Sequence, residues 1–115
     1  MTRPLLSLVL IAGFIARVHA EADAHTEIHA LIQAVAKSEC EFNRNGSLYS
    51  AEAAAEHLEL KYSRGKRYAD SAEAFIERLA SKSSWSGEPY QMICDGETQS
   101  AGDWLTMRLE ALRSQ

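Results

Sequence analysis

The first twenty residues limit what the rest of this chain can become. Arg3 supplies a positive start, Leu5 to Ile15 form an apolar run of eleven residues, and small residues follow in Val18-His19-Ala20 and Ala20-Glu21-Ala22. That layout is a secretory signal peptide. The apolar run is too short to span a bilayer, which needs about 20 such residues, and no later stretch approaches that length. Arg17, between the apolar run and the cleavage region, is the one departure from the pattern. The expectation is a signal peptide over 1–20, with a second cleavage option after Ala22, and an exported periplasmic domain over 21–115 that does not span the membrane.

Cleavage after Ala20 leaves 95 of the 115 residues, enough for one domain with a modest core but not for a deep cleft between two domains. Losing Arg3 and Arg17 lowers Lys+Arg from 12 to 10 against 16 Asp+Glu, so the mature net charge is −6 with His neutral. An acidic exported chain is not a general binder of nucleic acid or anionic lipid. Two cysteines remain, Cys40 and Cys94. An even count in an oxidising compartment points to one disulfide. On the chain-entropy account, closing so long a loop stabilises the fold by about 4 kcal/mol. A redox or metal role is the alternative, but there is no Cys-x-x-Cys spacing to lower a thiol pKa.

Periodicity organises the mature chain. Ile28, Leu31, Ile32 and Val35 make a helical stripe within a helix expected over 24–37. Asn45-Gly46, between two short runs, is a hairpin turn because both residues tolerate positive φ. Ser50 caps a second helix with Ala51, Ala54, Ala55, Leu58 and Tyr62 facing inward, ended by Gly65. Asp70 and Glu73 have capping-box spacing and open a third helix bearing Ala72, Phe75, Ile76 and Leu79. A serine-rich loop follows over 81–87, then a strand from Tyr90 to Cys94 with Asp95-Gly96 as its turn. Ser100 caps a last helix carrying Trp104, Leu105, Leu109 and Leu112. The expected fold is α+β in the order α-β-β-α-α-β-α, four helices on a small antiparallel sheet made of a hairpin and a third strand. A Cys40–Cys94 bond sets that third strand beside the first strand of the hairpin.

Four motifs together carry a resemblance. They are Phe42-x-Arg44-Asn45-Gly46, Ala54-x-x-His57-Leu58-x-x-Lys61, Phe75-Ile76 and Ala80-Ser81-x-Ser83-Ser84-x-Ser86-Gly87-x-Pro89-Tyr90. Together they resemble the YfeK-like family of small exported proteobacterial proteins, the domain of unknown function 5329, from helix one to Trp104-Leu105. The resemblance implies a signal peptide, a compact α+β domain and a set of unusual positions. It implies no activity, and no cofactor.

Three groups of side chains carry chemistry. Ser81, Ser83, Ser84 and Ser86 surround Trp85 and lead to Tyr90. Hydroxyls beside an aromatic face suit a sugar or peptide ligand, although a helix end also needs hydroxyls for its orphan carbonyls. His57 and Lys61 are four apart on one helical face. A histidine with Ser83 or Ser84 is the minimal Ser–His nucleophile, against the simpler reading of a hydrogen-bonded structural histidine. There is no Gly-x-Ser-x-Gly elbow, and Ser63-Arg64-Gly65-Lys66 matches Ser-x-x-Lys in spelling only. Lys61, Arg64, Lys66 and Arg67 form a local basic patch that Arg44 could join, suited to phosphate or carboxylate groups. Cations at a helix C-terminus answer the dipole equally well.

Metal chemistry has one opening. Cleavage after Ala22 would leave Asp23-Ala24-His25 at the amino terminus, where an amine, two amides and an imidazole suit Cu(II) or Ni(II). Cleavage after Ala20 removes that set. His25 and His29 are also four apart on one helical face. The reading that gathers most of these features is a non-catalytic domain binding an envelope component, through the serine–tryptophan loop and the basic helix end. A small hydrolase using His57 and a loop serine is the alternative, followed by an assembly role.

Overall fold

The computed structural model describes residues 23–115, so the signal-peptide segment and both cleavage options lie outside the described residues. Helix α1 covers Ala24–Ala36, and the Asp23 side chain caps it by accepting from the Thr26 amide. Strands β1 (Glu41–Arg44) and β2 (Ser47–Tyr49) form the expected hairpin, with Asn45 and Gly46 at φ 54° and 85°. Helix α2 spans Ala51–Gly65 behind the Ser50 cap and runs into a 3₁₀ turn over Lys66–Tyr68. Helix α3 covers Ala72–Phe75 and continues as a π-helical turn over Ile76–Ala80. Then come β3 (Gln91–Cys94), β4 (Glu97–Ser100) and α4 (Ala101–Arg113), the last capped by Ser100.

The sheet has four strands, not three, in the order β2-β1-β3-β4 and antiparallel throughout. Asp95-Gly96 repeats the geometry of Asn45-Gly46, at φ 52° and 80°, and so closes a second hairpin. Strand β4, Glu97-Thr98-Gln99-Ser100, has no apolar residue to betray it. It is an edge strand, where polar side chains are the norm. The capping box expected from Asp70 and Glu73 gives way to a simple N-cap one residue on. Ser71 rather than Asp70 accepts from the Ala74 amide and caps α3.

The two hairpins meet at β1 and β3. Their register pairs Glu41 with Ile93 and Phe42 with Met92, which sets Cys40 opposite Cys94. The cysteine Cα atoms are 4.5 Å apart, the spacing of a non-hydrogen-bonded antiparallel pair, and the two residues form a disulfide. Side chains alternate across a strand, so Phe42, Arg44, Tyr90 and Met92 project toward the helices. Helix α1 packs on α2, α3 and α4, with Ile28, Leu31, Ile32 and Val35 in the core beside Leu58, Phe75 and Leu105. Arg113 joins the outer ends of three helices by donating to both Glu27 and Glu73. No helix among the described residues is long and apolar enough to cross a membrane.

Candidate functional site

The serine loop is built by its own hydroxyls. Ser81 Oγ donates to the Ile76 carbonyl at 2.6 Å, closing the π-helical turn. Ser83 is 5% exposed. Its Oγ accepts from the amides of Trp85 at 3.2 Å and Ser86 at 3.1 Å, and from Asn45 Nδ2 at 3.4 Å. Ser86 Oγ returns a bond to Asn45 Oδ1 at 2.6 Å and accepts from the Glu88 amide. Backbone bonds from Ser83 to Glu88 and from Gly87 to Ser83, with a bridge between Lys82 and Pro89, draw the loop shut. Gly87 sits at φ 78°, where a side chain would be strained. The outcome is a braced loop that lifts Trp85 into solvent, 90% exposed.

Tyr90 stands at the base of that loop. Its amide donates to the Ser81 carbonyl and its carbonyl accepts from Ala101, tying the loop to α4. The ring is buried at 1% exposure and packs on Phe42. Its hydroxyl lies 3.2 Å from His57 Nε2 and accepts from Lys61 Nζ at 3.1 Å. Lys61 Nζ also donates to the Lys82 carbonyl at 3.1 Å and sits over the Tyr90 ring. Helix α2 thus grips the loop through one ammonium. Arg44, on the same sheet face, donates to the Tyr49 hydroxyl at 3.0 Å and stacks on the Tyr49 ring.

The electrostatics follow from that gathering. Burial, then the charges of Arg44 and Lys61, hold the His57 pKa down at about 4, so the imidazole is neutral near pH 7. Lys61 Nζ donates to the Tyr90 oxygen, which leaves the hydroxyl proton available to the His57 Nε2 lone pair in the tautomer protonated at Nδ1. Burial, and then Arg44, lower the Lys61 pKa, while burial raises that of the Tyr90 phenol. A site of this kind can hold negative charge and stack a planar or apolar face.

Of the residues singled out in the sequence, Arg44, His57, Lys61, Ser81, Ser83, Ser86 and Tyr90 are drawn into this one region, with Ser84 and Trp85 at its exposed edge. Arg64 is exposed in the last turn of α2, and Arg67 instead donates to and stacks on Tyr68. Sequence reasoning missed two participants. Asn45 counted only as a turn residue, yet its side-chain amide spans Ser83 and Ser86. Tyr49 gave no signal of its own and proves to be the platform for Arg44.

The side chains of the alternative readings have partners of their own. His57 Nε2 faces the Tyr90 hydroxyl, and Ser83 Oγ accepts from three N–H groups. Asp23 caps α1, while His25 Nδ1 lies 2.9 Å from the Tyr62 hydroxyl and His29 Nδ1 lies 3.6 Å from Glu59. Among the described residues no group of three or more His, Cys, Asp and Glu side chains could hold a metal ion.

The model of a family of unknown function, DUF5329, matches residues 22–113, nearly the whole of this domain. The chain belongs to that family. A relative within reach is the uncharacterized protein YfeK of Salmonella typhimurium strain LT2, 39% identical over 85 residues that cover 74% of this chain and 68% of the relative. No solved structure matches the chain. The family is one of unknown function, so membership assigns no activity.

Proposed function

We propose that this is an exported, periplasmic, non-catalytic binding domain that recognises an envelope component through the Trp85 loop. The observation that carries the reading is Trp85 itself, 90% exposed on a loop braced by Ser83, Ser86 and Asn45. A mobile loop could hide its indole against the surface. This one holds a large apolar face in water, and such faces concentrate binding energy when covered. The bracing also means that little ordering entropy is lost on binding. The disulfide suits an oxidising compartment, as does the signal-peptide pattern of residues 1–20.

Hydrolysis has no comparable support, because the hydrogen bonds of His57 and Ser83 run to Tyr90 and to loop amides rather than to each other. The test is capture. Immobilised mature protein and its Trp85→Ala variant are offered the same envelope extract, sacculi and solubilised proteins alike. The reading expects a component held by the parent and released by the variant, a loss of roughly thirtyfold or more in affinity for a central tryptophan. Equal capture by both, or capture by neither, contradicts it.

A further inference from the structure

We propose that Arg44 and Lys61 form the receptor for an oxyanion, a carboxylate or phosphate borne by the ligand that the Trp85 loop engages. Its setting rests on the binding-domain reading above. The cations of this molecule are neutralised unequally. Arg113, on the outside of the helices, is matched by two carboxylates, Glu27 and Glu73. Arg44 and Lys61 are both partly buried, yet among the described residues neither has a carboxylate within 4.0 Å. Their partners are neutral: the Tyr49 hydroxyl and ring for Arg44, the Lys82 carbonyl and the Tyr90 hydroxyl for Lys61. Two unneutralised cations taken partly out of water are costly unless something negative arrives.

Donors remain to receive it. An ammonium has three N–H groups and Lys61 uses two; a guanidinium has five and Arg44 uses one. The Tyr49 ring, its centroid 4.8 Å from the guanidinium carbon, and the Tyr49 hydroxyl hold the Arg44 fork, whose free donors suit two-point contact with a planar or tetrahedral oxyanion. The surrounding groups favour the same charge. His57 comes from α2 as a neutral imidazole and Tyr90 as a neutral phenol, so neither repels an anion.

Both cations are tied to the Trp85 loop. Lys61 holds the Lys82 carbonyl at its start, and Arg44 directly precedes Asn45, which clamps Ser83 and Ser86. A ligand covering Trp85 can therefore place an acidic group at the base of the loop. This names the chemical class of the ligand as an acidic one, with charge and stacking face joined.

The test uses small anions on the intact mature protein, with its disulfide, at constant ionic strength. Inorganic phosphate is titrated at pH 7 in one arm and acetate in the other, reading the Arg44 side-chain N–H and His57 ring resonances by NMR. Saturable shifts in at least one arm are expected, and the arm that saturates says whether the group is phosphate or carboxylate. Arg44→Gln and Lys61→Gln should each weaken that binding roughly ten- to hundredfold, the worth of a charge-assisted contact. Bound anion should also let His57 titrate above the value of about 4 that it has alone, because the field of its two cationic neighbours is cancelled.

No saturation in either arm overturns the proposal, as does binding that both variants leave intact. The two readings fail separately. Trp85→Ala should lose envelope capture while keeping the small-anion shifts, and an anion site that fails beside intact Trp85-dependent capture removes only this proposal.

Discussion

Replacing Ser83 by alanine removes one oxygen that three N–H groups share. The Trp85 and Ser86 amides lie 3.2 Å and 3.1 Å from it, good neutral hydrogen bonds, while Asn45 Nδ2 at 3.4 Å is a weak one. Each good bond is worth about 1 kcal/mol net, and a donor left dry costs more. Trp85 and Ser86 are themselves exposed, so their amides can turn to water and the larger penalty is avoided. The loss is therefore about 1–2 kcal/mol, and it falls on the loop before it falls on the core. Amide exchange at Trp85 and Ser86 should quicken by roughly tenfold, with the α1 amides much less affected. Ser83→Thr, which keeps the hydroxyl, should retain most of the protection. The measurement is native-state hydrogen exchange by NMR, with order parameters for the Trp85 indole as a second readout. Unchanged exchange at both amides in Ser83→Ala would refute the claim that this hydroxyl braces the loop.

Three further outcomes follow from the same geometry. Replacing Cys40 and Cys94 together by alanine should lower unfolding free energy by about 4 kcal/mol, the entropy of the released loop, in urea titration; a change below about 1 kcal/mol would show that the β1–β3 pairing alone holds the chain. The unfolded chain takes up a proton at His57 near pH 6.5, whereas the fold resists until about 4, so stability should be complete above pH 6.5 and fall as pH drops through that window. The full shift corresponds to about 3 kcal/mol, reduced to roughly 1–2 by solvent reaching the half-buried ring, and His57→Gln should remove that part of the pH dependence; identical curves for variant and parent would contradict the assignment. Finally, a Cβ on Gly102 would lie 2.7 Å from Ser81 Oγ and push it off the Ile76 carbonyl. Gly102→Ala should therefore destabilise by about 1 kcal/mol instead of giving the usual helix gain, and adding Ser81→Ala should recover stability relative to the single variant in a double-mutant cycle.

What the sequence revealed was whatever local chemistry decides. Asn45-Gly46, the caps Ser50 and Ser100, and the stripes of α1 and α2 are local signals, and the structure keeps them. Strand β4 was invisible because Glu97-Thr98-Gln99-Ser100 has no alternation to read, although Asp95-Gly96 announced its turn as clearly as Asn45-Gly46 did. Ser71 displaced Asp70 as a cap because the two adjacent residues compete for one position and only geometry chooses. Across the π-helical turn over Ile76–Ala80, Ser81 Oγ reaches five residues back to the Ile76 carbonyl, a bond that spacing rules for α-helices do not anticipate.

The candidate site divides the same way. His57, Lys61 and the serines stood out by type, and Tyr90 closed their motif. That Lys61 would hold the loop through Lys82, or that Asn45 would clamp it from a hairpin forty residues away, is tertiary information. Arg44 shows the mechanism most simply. Its place on the helix-covered face follows from alternation with Phe42, but its solitude among neutral partners appears only when the neighbouring elements are in place.

The proposed binding role rests on one exposed side chain, Trp85. The direct measurement is the amount of any envelope component retained on immobilised mature protein against its Trp85→Ala variant, with both shown to be folded and disulfide-bonded. A component retained by the parent and lost from the variant by roughly thirtyfold or more is the predicted result. Equal retention by the two proteins, or no retained component on either, would contradict the binding role.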